Sequence, residues 1–97
     1  MGIDFRDFCK VDIRAGTIIR AEPSAKAHKP AYLMWLDFGK KLGVRKTSAQ
    51  LTDNYKCGSL IGKQVCAVVN LKPKQIGAFV SEVLILGFED LDGGITL

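Results

Sequence analysis

The sequence predicts an all-β domain, a five-stranded barrel with a short N-terminal helix and a short helix between strands 3 and 4. Three observations predict it. The apolar runs fall in the order three strands, a helical connection, then two strands. That connection, 52–61, stands where a five-stranded OB-fold carries its helix. The chain is basic, with a net charge of +4 over 97 residues, enough for a single domain spanning 1–97. An SH3-like barrel is the structural rival, and the 52–61 connection favours the OB-fold.

Each element has its own signal. "IDFRDF" places Ile3, Phe5 and Phe8 near one face of a short helix, with Asp4 as N-cap. So short a helix must dock on its own sheet or on another subunit. The run 12–23 reads as a long first strand, and Gly16 within it suggests a bend or bulge. "SAKAHKPA" is a polar loop closed by Pro30. "YLMWLDFG" is the second strand, "KKLG" a lysine-rich turn and "VRKTSAQL" the third strand. In the connection, Thr52 caps a helical turn, and Tyr55, Leu60 and Ile61 are expected to face inward. "QVCAVVNL", apolar on both faces, reads as a central fourth strand. A basic loop, "KPKQIG", leads to a continuous fifth strand over 78–88. "EDLDGGITL" gives a turn at Asp92-Gly93-Gly94 and a last strand stub.

The hydrophobic share of 47% and charged share of 25% are those of a globular domain rather than a disordered one. The cysteines Cys9, Cys57 and Cys66 form no C-x-x-C and read as reduced thiols, with Cys66 behaving as a small hydrophobe within its strand. The single histidine, His28, lies in a polar loop without a neighbouring acid, so neither a metal site nor a nucleophile–base pair is predicted. Nucleotide-binding glycine motifs are absent from the sequence. No enzyme, no metal and no cofactor are therefore expected. No apolar run is long enough for membrane insertion, and the N-terminus is too charged for a signal peptide, so a cytoplasmic protein is expected.

Binding is the better reading. Lys29, Lys40, Lys41, Arg45, Lys46, Lys72 and Lys74 fall in loops or on the second and third strands, where OB-folds hold oligonucleotides. Tyr32 and Trp35 could offer stacking faces among them. Singly, each residue has an ordinary explanation: a strand tryptophan is more often core, and loop lysines are usually solvated. The signal is their shared location. Lys46, Ser48 and Gln50 lie on one side of the third strand, which points to a wet groove. Ser81 and Glu82 interrupt an apolar strand and must meet water, a partner chain or that same polar row.

The segments "DIRAGTI", "KPAYLMWLDFG", "SAQLTDNY", "LIGKQVCAVVNLKPKQIG" and "SEVLILG" together cover most of the chain. In them it resembles the CsaA-type secretion-associated chaperones, a branch of the tRNA-binding domain family. That family also includes the C-terminal domain of some methionyl-tRNA synthetases and the endothelial-monocyte-activating polypeptide domain. The resemblance implies an OB-fold that binds tRNA by shape, and a homodimer that binds unfolded or pre-secretory polypeptide. It assigns nucleic-acid contacts to Asn70, Lys72 and Lys74 of the "NLKPK" segment, to Lys29 and to Ser81. Lys46, Ser48 and Gln50 are expected to join them, and Tyr32, Trp35 and Leu84 to hold peptide. Where tRNA-binding relatives carry Gly-Met, this chain has Val83-Leu84; where they often carry Arg-Gly, it has 75–78 without a positive charge. Relatives usually continue with a proline-containing tail that helps build the dimer, and with the N-terminal helix present a homodimer is still expected. The expected function is export-related chaperoning and tRNA binding without catalysis. Two alternatives stay open: a structure-specific tRNA-binding module acting in trans with a synthetase, and a peptide-binding dimer without nucleic acid.

Overall fold

Alternation of apolar and polar side chains over 32–37 decides the architecture. In the computed structural model, which describes residues 1–24 and 30–97, Tyr32, Met34 and Leu36 of strand β2 (Tyr32–Asp37) are buried while Leu33 and Trp35 lie on the outer face. Strand β2 pairs antiparallel with β1 (Ile13–Pro23) on one side and β3 (Val44–Ala49) on the other. A 3₁₀ helix, Cys57–Leu60, leads from β3 to β4 (Gln64–Val68), which returns beside β1. A hairpin follows, β5 (Lys74–Ile76) with β6 (Phe79–Ser81), and then β7 (Leu84–Ile85), which pairs with β4. The main sheet thus runs β3-β2-β1-β4-β7. A second hairpin, β8 (Phe88–Glu89) with β9 (Ile95–Thr96), ends the chain.

The barrel closes where 79–85 bridges β3 to β4. The Glu82 amide donates to the Lys46 carbonyl at 2.8 Å, and the Lys46 amide donates to Glu82 Oε1 at 2.9 Å. One turn of chain later, β7 is on β4. This is the five-stranded OB-type barrel expected, with a short N-terminal helix and a 3₁₀ turn in the third-to-fourth connection. Its interior is filled by Ile18, Met34, Leu36, Leu51, Leu60, Val65, Ala67 and Val83. Burying such side chains is the main favourable term for a domain of this size.

Several details correct the sequence reading. The fifth strand is not continuous over 78–88: it breaks into β6, β7 and β8, because it must leave β3, turn at Ser81–Val83 and join β4. The basic loop is partly a strand, β5, closed by a two-residue turn with Gly77 at φ 62°, a value glycine adopts without strain. Gly16 is not the bulge. The register shift lies between Ile18 and Arg20, and Gly16 is small because the Phe38 ring lies 2.7 Å from where its Cβ would be. Ile61 is exposed rather than inward, since the chain turns out of the 3₁₀ helix at that residue. Cys66 also faces outward, as its neighbours Val65 and Ala67 take the inner side of β4.

The N-terminal helix, α1, spans Phe5–Phe8 and buries no residue. Asp4 takes the N-cap position, but its side chain makes no capping bond. Ile3, Phe5 and Phe8 are all exposed, so α1 does not dock on its own sheet. Among the described residues, no helix is long and apolar enough to cross a membrane.

Candidate nucleic-acid interface

The outer face of β1, β2 and β3 is built by register. Pairing sets Arg20 beside Trp35, and Trp35 beside Lys46, so one row crosses three strands. The next row sets Glu22 beside Leu33 and Leu33 beside Ser48. The Arg20 guanidinium lies 4.5 Å from the centre of the Trp35 ring. The hairpin reaches over this row. The Phe79 ring meets Trp35 edge-on with centroids 6.0 Å apart, and the Lys46 ammonium lies 5.2 Å from the Phe79 centroid. Two aromatic rings and two cations are thus gathered from four strands, with both rings half-buried. A cation over a ring face is attracted by its quadrupole, by about 0.5–1 kcal/mol at exposed sites.

Behind the row, polar groups hold the closure. Thr47 is the buried polar side chain of the described core; its Oγ1 donates to the Val83 carbonyl at 2.7 Å and lies within hydrogen-bond distance of Ser81 Oγ at 3.0 Å. The Ser48 amide donates to Ser81 Oγ at 3.2 Å. Ser81 and Glu82 therefore meet the polar row of β3, as one of the three sequence-based options required. Lys74 pairs with Ser81 across the hairpin, which sets it one strand beyond β6 from that row. Lys72 and Lys74 are exposed, and with Leu71, Ser81, Glu82, Val83 and Leu84 they border a shallow cleft of about 430 Å³.

The expected contact residues divide by these positions. Lys46, Trp35 and Ser48 share the outer side of β2 and β3, Lys74 lies on β5, and Lys72 is exposed just before it. Gln50 is exposed just past the end of β3. Leu84 is half-exposed in the cleft, and Lys29 lies outside the described residues, as does His28. Tyr32 is not a surface platform: it is 9% exposed, and its hydroxyl donates to the Tyr55 carbonyl at 2.7 Å, because β2 turns it into the core. The Asn70 amide is engaged within the chain. Its Oδ1 accepts from the Asp12 amide at 2.9 Å and its Nδ2 donates to the Lys10 carbonyl at 2.7 Å, tying the N-terminal segment to β4. Ser81 is likewise spent on β3. Arg20 and Phe79 were missed as members of the row. Their proximity to Trp35 depends on the bulge at Ile19 and on the hairpin folding back, and short-range sequence patterns carry neither. Among the described residues, no group of His, Cys, Asp and Glu is placed to hold a metal.

Residues 13–96 match the family described as "Putative tRNA binding domain". The chain belongs to this tRNA-binding domain family. The family is a binding domain rather than a catalytic one. Methionine–tRNA ligase of Bacteroides fragilis is 37% identical over 95 residues, covering 98% of this chain and 14% of that protein. The Porphyromonas gingivalis enzyme is 39% identical over 93 residues, covering 96% of this chain and 13% of that one. The chain therefore spans only a small part of the length of these curated relatives. The crystal structure of CsaA chaperone protein from Picrophilus torridus superposes with a TM-score of 0.94 at 47% identity, covering 99% of this chain and 88% of that one. Chaperone CsaA from Bacillus anthracis gives 0.93 at 42%, covering 100% and 87%. Within the family, then, the resemblance to the CsaA branch extends over the whole barrel.

Proposed function

We propose that this chain binds tRNA without catalysis, through the outer surface of β2 and β3 and the β5–β6 hairpin. The observation that carries the reading is that Lys46 joins Trp35 and Phe79 in one outer row, while Lys72 and Lys74 rim the cleft beside the neighbouring β5–β6 hairpin. Ammonium groups so placed can meet phosphates along a backbone, and half-buried rings can meet bases. Membership in the tRNA-binding domain family supports the same partner. Contacts of this kind read shape and charge, so any folded tRNA of suitable form would be accepted. The test is a tRNA gel shift across a salt series. Binding should weaken steeply with salt, and binding that is indifferent to salt would exclude a phosphate-led interface.

We further propose a CsaA-like role in holding unfolded or pre-secretory polypeptide, as a cytoplasmic homodimer. Two features favour it. The cleft beside Leu84 is lined mainly by apolar groups with Lys72 and Lys74 at its rim. An exposed apolar surface lies on the outer side of β1 and β4, where Ile13, Ala15, Cys66, Leu86, Phe88 and Leu97 border a depression of about 430 Å³. With Phe5 and Phe8 also uncovered, this surface fits a second copy of the chain. Suppression of client aggregation at moderate salt, together with a dimeric mass by light scattering, is the expected result. A monomer without holding activity would leave tRNA binding as the sole function.

A further inference from the structure

The corner formed by Arg20, Trp35 and Phe79 is built differently from a phosphate clamp. Both Nε and Nη2 of Arg20 donate to Glu22 Oε2, so the guanidinium is fixed at its edge by a carboxylate and from below by the Trp35 ring. Two of its five N–H donors are therefore spent inside the protein, which closes the Nε–Nη2 edge to phosphate and leaves the end-on edge and the outer face free. Yet the Arg20 side chain remains 62% exposed. A planar group held from below and from the side, and open outward, is a surface on which another flat ring can stack. Phe79 stands beside it, and the Lys46 ammonium projects over Phe79.

We propose that this corner receives an unpaired nucleobase. The base stacks on the Arg20 guanidinium and is bordered by Phe79, while Lys46 meets the phosphate of the same nucleotide. The partner class is a single-stranded segment of RNA. A duplex keeps its base faces inside its own stack and presents only edges, sugars and phosphates, which leave this platform unused. The inference rests on the RNA-binding reading above and adds which part of the RNA is held.

Trp35 is the sole tryptophan of the chain, so its fluorescence reports directly on the corner. The experiment titrates the full chain with a single-stranded RNA of about eight nucleotides and with a blunt RNA duplex of the same length, at one salt concentration. Wild type is compared with Arg20→Lys, which keeps the charge and removes the plane, and with Phe79→Leu, which keeps an apolar group and removes the ring. The single strand should quench Trp35. Each substitution should lower the ratio of single-strand to duplex affinity about tenfold. Unchanged Trp35 fluorescence with bound single strand, or an unchanged ratio in Arg20→Lys, overturns the proposal while leaving RNA binding in place. If neither RNA form nor tRNA binds the wild type, the RNA-binding reading itself falls. Thermal melts accompany both variants, and Arg20→Lys decides if Phe79→Leu melts early.

Discussion

Thr47 adds a buried hydroxyl to the bonds that close the barrel. It is 1% exposed, and its hydrogen bonds run to Val83 and Ser81 on the far side of the closure. Thr47→Val keeps the volume and removes the donor, so a buried carbonyl loses its better partner. The expected loss of stability is about 1–3 kcal/mol, read from chemical denaturation. A change within error would mean that Ser81, whose hydroxyl also reaches the Val83 carbonyl at 3.3 Å, takes over the bond. Gly16 offers the complementary test. An added methyl would meet the Phe38 ring at 2.7 Å, so Gly16→Ala must displace that ring and should destabilise by about 1–3 kcal/mol. Full stability in Gly16→Ala would show that Phe38 moves aside freely.

The C-terminal hairpin is held by one amide and one carboxylate. Asn54 Nδ2 donates to Asp90 Oδ2 at 2.8 Å and to the Ile95 carbonyl at 3.0 Å, and Asp90 Oδ1 accepts from the amides of Asp92 and Gly94 at 2.9 Å each. The Asn54 hydrogen bond, with help from those amides, holds the Asp90 carboxyl below its ordinary value of 3.8. A lowered carboxylate stabilises the fold fully above its unfolded value, and that contribution fades as pH falls through the lower folded value. Below about pH 4, the protection of the Gly93 and Gly94 amides, taken relative to their intrinsic exchange at each pH, should therefore fall in the wild type. In Asp90→Asn this acid-dependent step should vanish. An identical acid response in both proteins would contradict the assignment.

The strands themselves show what a sequence can and cannot disclose. Strands β1 to β4 were legible as strands from their apolar runs, and in β2 alternation also marked the inner side: Met34 and Leu36 against Leu33 and Trp35 is a local pattern. The break of the last long run into β6, β7 and β8 was not, because its cause is the distant pairing of Glu82 with Lys46 and of Leu84 with Val68. The same limit applies to the candidate surface. Lys72 and Lys74 could be placed in the connection after the fourth strand from strand order. Tyr32 and Asn70 could not be recognised as structural, since their partners at Tyr55, Lys10 and Asp12 lie far along the chain or depend on how β4 ends.

For the molecule as a whole, the two faces make separate predictions. The apolar depression around Phe88, which is 77% exposed, should bury against a second copy. Phe88→Asp should shift the light-scattering mass toward a monomer, and an unchanged dimer would place the subunit contact elsewhere. The basic face carries the central claim, and a tRNA titration over a salt series tests it most directly. For wild type, the logarithm of affinity should fall linearly with the logarithm of salt concentration. For Lys72→Ala with Lys74→Ala, affinity should drop at low salt and the slope should become shallower by about two units, as expected for two lost phosphate contacts. An affinity and slope equal to those of the wild type would contradict tRNA binding at this surface.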